Sequence, residues 1–224
     1  MSVESMSVEE IKYKRYTIKV EQDDIPSNPR KEWDNLGSMV CFHGRYKLGD
    51  AHTLTLKQAQ QLETSKDVIS LPIYMYDHSG ITINTTGFSC PWDSGKVGFI
   101  YVTKEKARKE YSWKVINKAR REKLELYLKG EVEVYDQYLR GDCYGYQIFD
   151  PQGKDTNESC WGYFGSDYEV SGLVDAAQGA IDYYVERDEE IKLVVEASEV
   201  ELPLLLNALK HPEAKEALNQ RLAA

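Results

Sequence analysis

The chain has 224 residues, a length that fits one large domain or one domain with a small appendage. Hydrophobic residues make up 42% and charged residues 29%, enough apolar material to build a packed core and to exclude wholesale disorder. Asp and Glu number 37 against 28 Lys and Arg, a formal net charge of -9, so the chain gains no general attraction to phosphate and duplex-DNA binding is not expected.

From the N-terminus, Tyr13 to Val20 (YKRYTIKV) alternates large apolar or aromatic residues with charged ones, the period-2 pattern of a half-buried strand. Glu21 to Leu36, with Pro26, Pro29 and several acids, predicts an irregular loop, and Met39 to Phe42 a short buried strand. Thr55 to Thr64 predicts a short helix with Leu56, Ala59 and Leu62 near one face. Leu71 to Tyr76 and Ile81 to Thr86 flank Asp77-His78-Ser79-Gly80, the chemistry of a hairpin turn. After the Gly-, Pro- and Ser-bearing loop Gly87 to Lys96, Val97 to Val102 predicts a third strand. Thr103 opens a long helical region in which Leu124, Leu128, Val132, Tyr135 and Leu139 recur at three- or four-residue steps and form one apolar face. Cys143 to Phe149 and Glu158 to Phe164 predict a hairpin across Asp150 to Lys154, and Asp175 to Glu186 another helix. The texture changes past residue 190: Lys192 to Val195 is short and apolar, Ser198 and Glu201 have capping-box spacing near Pro203, and Pro212 opens a final helix through Leu222. The expectation is an α+β fold, a mainly antiparallel central sheet flanked by a long helix and C-terminal helices. Residues 1–190 would form a single domain and 191–224 a helical extension.

Targeting and redox signals agree with one another. No run of about 18 apolar residues occurs, so no membrane span is expected. Met1 to Glu10 is polar and acidic, without the basic-then-apolar plan of a secretory signal. Cys41, Cys90, Cys143 and Cys160 are therefore expected as free thiols in a cytoplasm-like compartment, and none lies in a CxxC pair.

Four clusters put Trp, Cys, Asp and Gly into loops beside predicted strands: WDNLG (33–37), CFHGRY (41–46), FSCPWDSG (88–95) and SCWGYFG (159–165). Loops on a rigid scaffold are where sites are built, although Trp and Cys are equally at home in a core. Trp33, Asp34, Arg45, Trp92, Asp93, Trp161 and Tyr163 are the candidate ligand- or partner-binding residues, with rings to stack a base and Arg45 to meet phosphate. A cysteine nucleophile would need Cys90 or Cys160 beside His43 or His78, oriented by Asp77, Asp93 or Asp34. Cys41, His43, His78, Cys90 and Cys160 are zinc-ligand types without the spacing of a complete site, so no metal and no cofactor is assigned. Asp150, Asp155, Asn157 and Glu158 have calcium-ligand chemistry but not the EF-hand order, and Asp-Pro-x-Gly is more simply a turn. No GxxxxGK[ST], GxGxxG or GxSxG is present. The basic run Lys104 to Lys123 has the composition of a solvated helix face.

WDNLGSMVCFHGRYKLGD, YDHSGITINTTGFSCPWDSGKVGFIYV and ESCWGYFG together resemble a family of accessory proteins of bacteriophages and integrated prophages, over roughly residues 30–165. The resemblance implies a setting in the cytoplasm of a bacterial host and carries no catalytic assignment. By analogy with other phage accessory proteins, the expected function is non-enzymatic binding. The target would be a host defence protein or nucleoprotein complex, such as CRISPR–Cas, which the acidic surface inhibits by occupying a basic channel. The alternatives are sequestration of a signalling nucleotide and a small Cys/His hydrolase.

Overall fold

The computed structural model describes residues 8–197 and 209–222. It is an α+β fold with eight strands, β1 (Glu9–Tyr13), β2 (Tyr16–Gln22), β3 (Ser38–Cys41), β4 (Val68–Asp77), β5 (Ile81–Asn84), β6 (Ser94–Thr103), β7 (Cys143–Phe149) and β8 (Asp155–Phe164). Its helices among the described residues are α1 (Pro29–Glu32), α2 (Leu56–Glu63), α3 (Lys104–Glu110), α4 (Lys118–Arg140), α5 (Leu173–Ala197) and α6 (Pro212–Leu222). The antiparallel character, the long helix and the C-terminal helices are as expected, but the strands form two four-stranded sheets, β1-β2-β7-β8 and β3-β6-β4-β5. Backbone contacts divide the described residues into two compact units: 8–21, 145–163, 167–197 and 209–222 in the first, 22–144 and 164–166 in the second. The expected domain boundary at 190/191 falls inside α5, which runs through it without a break. The Ser198/Glu201 capping box and Pro203 lie outside the described residues. Among the described residues no helix is long and apolar enough to cross a membrane.

In the first unit, the alternating Tyr13–Val20 segment is two strands rather than one. Lys14 and Arg15 adopt φ of 44° and 69° and turn the chain, pairing Tyr13 with Tyr16 and Glu9 with Val20. Two successive positive φ values match the right-handed twist of a tight hairpin. The expected alternation holds in β1, where half-buried Ile11 and Tyr13 alternate with exposed Glu10 and Lys12, but not in β2, where five of the seven residues are buried. On α5, Leu173, Ala177 and Ile181 recur at four-residue steps and are fully buried. Asp182 on the same helix pairs with Lys14 at 3.0 Å, and Tyr184 donates to Glu158 at 3.3 Å, so α5 is tied to both hairpins of its sheet.

In the second unit, β6 pairs antiparallel with both β3 and β4. One sheet face carries Met39, Ile69, Ile73, Ile100 and Val102 onto Leu124, Leu128, Val132 and Tyr135 of α4. Burying side chains of this size contributes roughly 1.5–3 kcal/mol each. The other face packs Val40 and Phe99 against Ala59 and Leu62 of α2. Gly98 lies where β3 and β6 meet; a Cβ there would stand 2.0 Å from the Val40 carbonyl oxygen, so any side chain would force the strands apart. Local signals set the helix ends. Asn117 caps α4 through Arg120 N–H, Gly141 closes it at φ 74°, and Thr55 and Gln58 form a capping box on α2.

The helical region after Thr103 is two helices. Ser112 at φ 52° breaks it, and Tyr111, Trp113 and Ile116 leave the helix to pack on the sheet core. The basic run around this break is the solvated face that its composition implies. Arg121 pairs with Glu125 and Lys118 with Glu122, Arg120 lies over the Trp113 ring, and Lys123 lies over Tyr111 and Tyr127.

Candidate functional site

The WDNLG and YKLGD segments of the second unit are held by one buried arginine. Pro29 at the start of α1 and the Asn28 cap aim Arg30 inward, where its side chain is 2% exposed. It donates to Asp50 from Nε at 2.9 Å and from Nη2 at 2.8 Å, to Glu131 Oε2 at 2.8 Å, and to the Gly37 carbonyl at 2.9 Å. Asp50 Oδ2 also accepts from Met39 N–H at 2.8 Å, and Glu131 Oε1 from Leu36 N–H at 2.7 Å and Gly37 N–H at 3.0 Å. Each buried charge therefore has an opposite charge and further hydrogen bonds, the condition under which burial of ions is tolerated. The motif residues 36–39 and 49–50 owe their positions to this trio.

Beside it opens a cleft of about 780 Å³, lined by residues that include Lys31, His43, Tyr46, Lys47, Asp50 and His52. Its charge is positive at the rim. The Asp50 carboxylate is committed to Arg30, whereas neither the Lys31 nor the Lys47 ammonium has an ion-pair or hydrogen-bond partner among the described residues. His43 Nδ1 accepts from Tyr46 N–H at 3.2 Å, which assigns the proton of the neutral ring to Nε2, and its ring stacks on Tyr46 at 5.2 Å. His52 Nε2 donates to the Cys41 carbonyl at 3.0 Å, and its Nδ1 is shielded from solvent without a partner. The Tyr135 hydroxyl, from α4, accepts from Gly49 N–H at 3.2 Å at the cleft floor.

The Tyr46 side of the cleft continues into a second cluster, built by the β4–β5 turn and the loop before β6. The Tyr46 hydroxyl donates to Asp77 at 3.2 Å, and Arg45 reaches Asp77 at 3.7 Å while lying over the Tyr46 ring. Asp93 holds the turn through its carbonyl, which accepts from Asp77 N–H at 2.9 Å, and its carboxylate lies 3.6 Å from His78 Nδ1. Trp92, next to it, is 91% exposed. Arg45, Trp92 and Asp93 thus share one neighbourhood of the second unit with Asp77, His78 and Cys90.

The other candidates lie elsewhere. Trp33 packs edge-on against Phe164 at 5.3 Å and lines a mainly apolar hollow of about 310 Å³ with Leu126, Tyr127 and Val134. Asp34 lines a smaller hollow that includes Lys106 and Tyr127. Trp161 and Tyr163 are part of the first unit. The Trp161 ring lies across Gly145, where a Cβ would meet it at 2.3 Å, and Tyr163 contacts Tyr146 at 6.0 Å. Burial, then the hydrogen bond with Cys160, raises the Tyr163 phenol above its ordinary range.

The cysteines do not assemble a nucleophile with a base. All four are free thiols, in keeping with their unpaired spacing. Cys90 faces the Asp93 carboxylate at 3.8 Å, with His78 on that carboxylate too, so a negative charge rather than an imidazole stands next to the sulfur. Burial, and then Asp50, pushes the Cys41 thiol up to about 12, and burial, then Asp23, pushes Cys143 up to about 11. Asp150 Oδ1 accepts from Gln152 and Lys154 N–H, and Asp155 Oδ1 from Asn157 N–H, so each carboxylate closes a turn.

Lys31, Lys47, His52 and Tyr135 did not emerge from the sequence. Lys31 lies outside the quoted motifs and Lys47 is the basic residue of YKLGD; that neither ammonium has a partner among the described residues is a three-dimensional property. Comparison with known protein families, curated proteins and solved structures finds no match to this chain.

Proposed function

We propose that this chain is a non-enzymatic binding protein whose cleft in the second unit captures a small phosphate-bearing ligand of the nucleotide class. In the bacteriophage setting that the motif resemblance implies, it would withdraw a signalling nucleotide from a host defence system. The observation that carries this reading is the pair of unpartnered lysines, Lys31 and Lys47, on a cleft of about 780 Å³ in a chain of net charge -9. Clefts of this volume suit drug-sized ligands. Two free ammonium groups with the stacked His43–Tyr46 pair offer phosphate and base contacts together. A charge-assisted contact of this kind is worth about 1.5–3 kcal/mol, or roughly tenfold or more in affinity. Calorimetric titration with cyclic dinucleotides, nucleoside triphosphates and inorganic phosphate tests it. Binding should weaken by about tenfold in Lys31→Ala and in Lys47→Ala. Absence of binding, or binding indifferent to both substitutions, sinks the reading.

A second reading, inhibition by direct capture of a host defence protein or nucleoprotein complex such as CRISPR–Cas, is favoured by one observation: Trp92 stands almost fully exposed beside Asp93 and Asp77. An exposed Trp flanked by acids fits an aromatic anchor for a basic partner. Trp92→Ala would then abolish complex formation and leave nucleotide binding intact. Substrate turnover abolished by Cys90→Ala or Cys160→Ala in folded protein would replace both readings with a hydrolase.

A further inference from the structure

Glu186 and Glu190 stand four residues apart on α5, so their carboxylates leave the same face of the helix. His211, the residue before Pro212 at the start of α6, joins them there. One ligand atom from each of the three residues lies within 4.8 Å of the other two, and among the described residues no other group of His, Cys, Asp and Glu side chains converges in this way. Hydrogen bonding within the group is incomplete. Glu190 Oε2 and His211 Nε2 are both shut off from solvent and have no hydrogen-bond partner among the described residues, as is also true of Arg187 Nε. The nearest acid to His211 Nε2 is Glu186 Oε2 at 3.7 Å, beyond hydrogen-bond length. Buried polar atoms are nearly always paired, and two orphans in one metal-ligating trio are what a bound cation would satisfy.

The surroundings prepare the donors. Lys210 binds Glu186 Oε1 at 3.2 Å, leaving Oε2 turned towards His211. The Tyr183 ring meets the His211 ring edge-on at 4.4 Å, and the Tyr183 hydroxyl donates to Glu213, which fixes the imidazole from outside. Lys210 and Arg187 add positive charge nearby. Arg187 lies over the Tyr184 ring and its Nη2 reaches Asp188 at 3.3 Å; of the two carboxylates Glu186 is shared with Lys210, and Glu190 has no ion pair among the described residues.

We propose that Glu186, Glu190 and His211 bind one divalent transition-metal cation, zinc above all, and that this ion ties the start of α6 to α5. Two carboxylate oxygens and one imidazole nitrogen suit zinc better than calcium, which takes oxygen ligands. Bonds of about 2.0–2.2 Å in a tetrahedron put donors roughly 3.4 Å apart, so the trio closes by small side-chain rotations. Three protein ligands leave a fourth position for water.

The experiment uses the full chain, stripped with chelator and titrated with Zn²⁺ by calorimetry and with Co²⁺ by absorption. One equivalent is expected, with a rise in the thermal midpoint and a cobalt spectrum free of a thiolate charge-transfer band. His211→Ala and the isosteric Glu190→Gln should each weaken zinc binding by at least about tenfold, with circular dichroism unchanged for Glu190→Gln. No binding to the unaltered chain at about 0.1 mM free metal overturns the proposal, whatever becomes of the variants. So does a cobalt–thiolate band, or unchanged affinity in Glu190→Gln.

Discussion

Replacing Arg30 by Met keeps most of the side-chain volume and removes the charge that holds the Asp50–Glu131 trio together. Arg30 is 2% exposed, Asp50 28% and Glu131 16%, so the substitution leaves two largely buried carboxylates without a cation. Breaking a buried pair by removing one partner costs about 3–5 kcal/mol. The backbone donors of Leu36, Gly37 and Met39 stay on the carboxylates, and Asp50 keeps some water, which places the expected loss at about 3 kcal/mol. Urea unfolding measures it in a Trp161→Phe background, where Trp33, Trp92 and Trp113 all report on the second unit. With a slope near 2 kcal/mol/M, the midpoint should fall by roughly 1.5 M. Adding Asp50→Asn and Glu131→Gln to Arg30→Met should recover more than about 1 kcal/mol, because the residual groups then carry no charge. A single-variant loss below about 1 kcal/mol would show that the trio behaves as an exposed ion pair and would refute the reasoning.

Gly98→Ala drives a Cβ into the Val40 carbonyl, which belongs to backbone and cannot swing aside, so it should cost at least about 1–3 kcal/mol by thermal or chemical unfolding. Gly95→Ala in the same strand meets nothing within 4 Å and should be near neutral; equal losses would show the close approach to be unimportant. Cys41 and Cys143 titrate near 12 and 11 when folded against an ordinary 9.0. The folded state holds these protons more tightly, so their contribution is full below pH 9 and is lost as pH rises through the folded values. Stability should accordingly decline above pH 9, less steeply in Cys41→Ala, and iodoacetamide at pH 8 should modify exposed Cys160 before half-buried Cys41 or buried Cys143, as read by mass spectrometry.

Features that depend on near neighbours in the chain were legible. The Leu124, Leu128, Val132 and Tyr135 stripe is the buried face of α4, because helical period alone puts those residues on one side. The Asp77–Gly80 turn and the first position of Pro212 follow from backbone preferences that travel with the residue. Alternation in Tyr13–Val20 correctly indicated extended chain, yet it could not show that Lys14 and Arg15 would turn, since neither residue is a usual left-handed one. The same limit hid the break at Ser112, where packing of Tyr111 and Trp113 on the sheet outweighs helix propensity. Glu186 and Glu190 have a spacing that can be read from the chain as a shared helix face; His211 can be added only once α6 lies against α5.

Composition and periodicity determined the α+β class, the antiparallel pairing, most element positions and the free thiols, because each rests on interactions among a few consecutive residues or on overall solvent balance. Tertiary structure alone decided that the strands divide into two sheets, that Arg30 is the buried partner of Asp50 and Glu131, that Arg45, Trp92 and Asp93 share a neighbourhood which Trp33 does not line, and that the Lys31 and Lys47 ammonium groups have no acid partner among the described residues. A charge has the same local sequence signature whether it is buried and paired or free at a rim. Its energy depends on groups tens of residues away and on the dielectric around them, neither of which the linear chain displays.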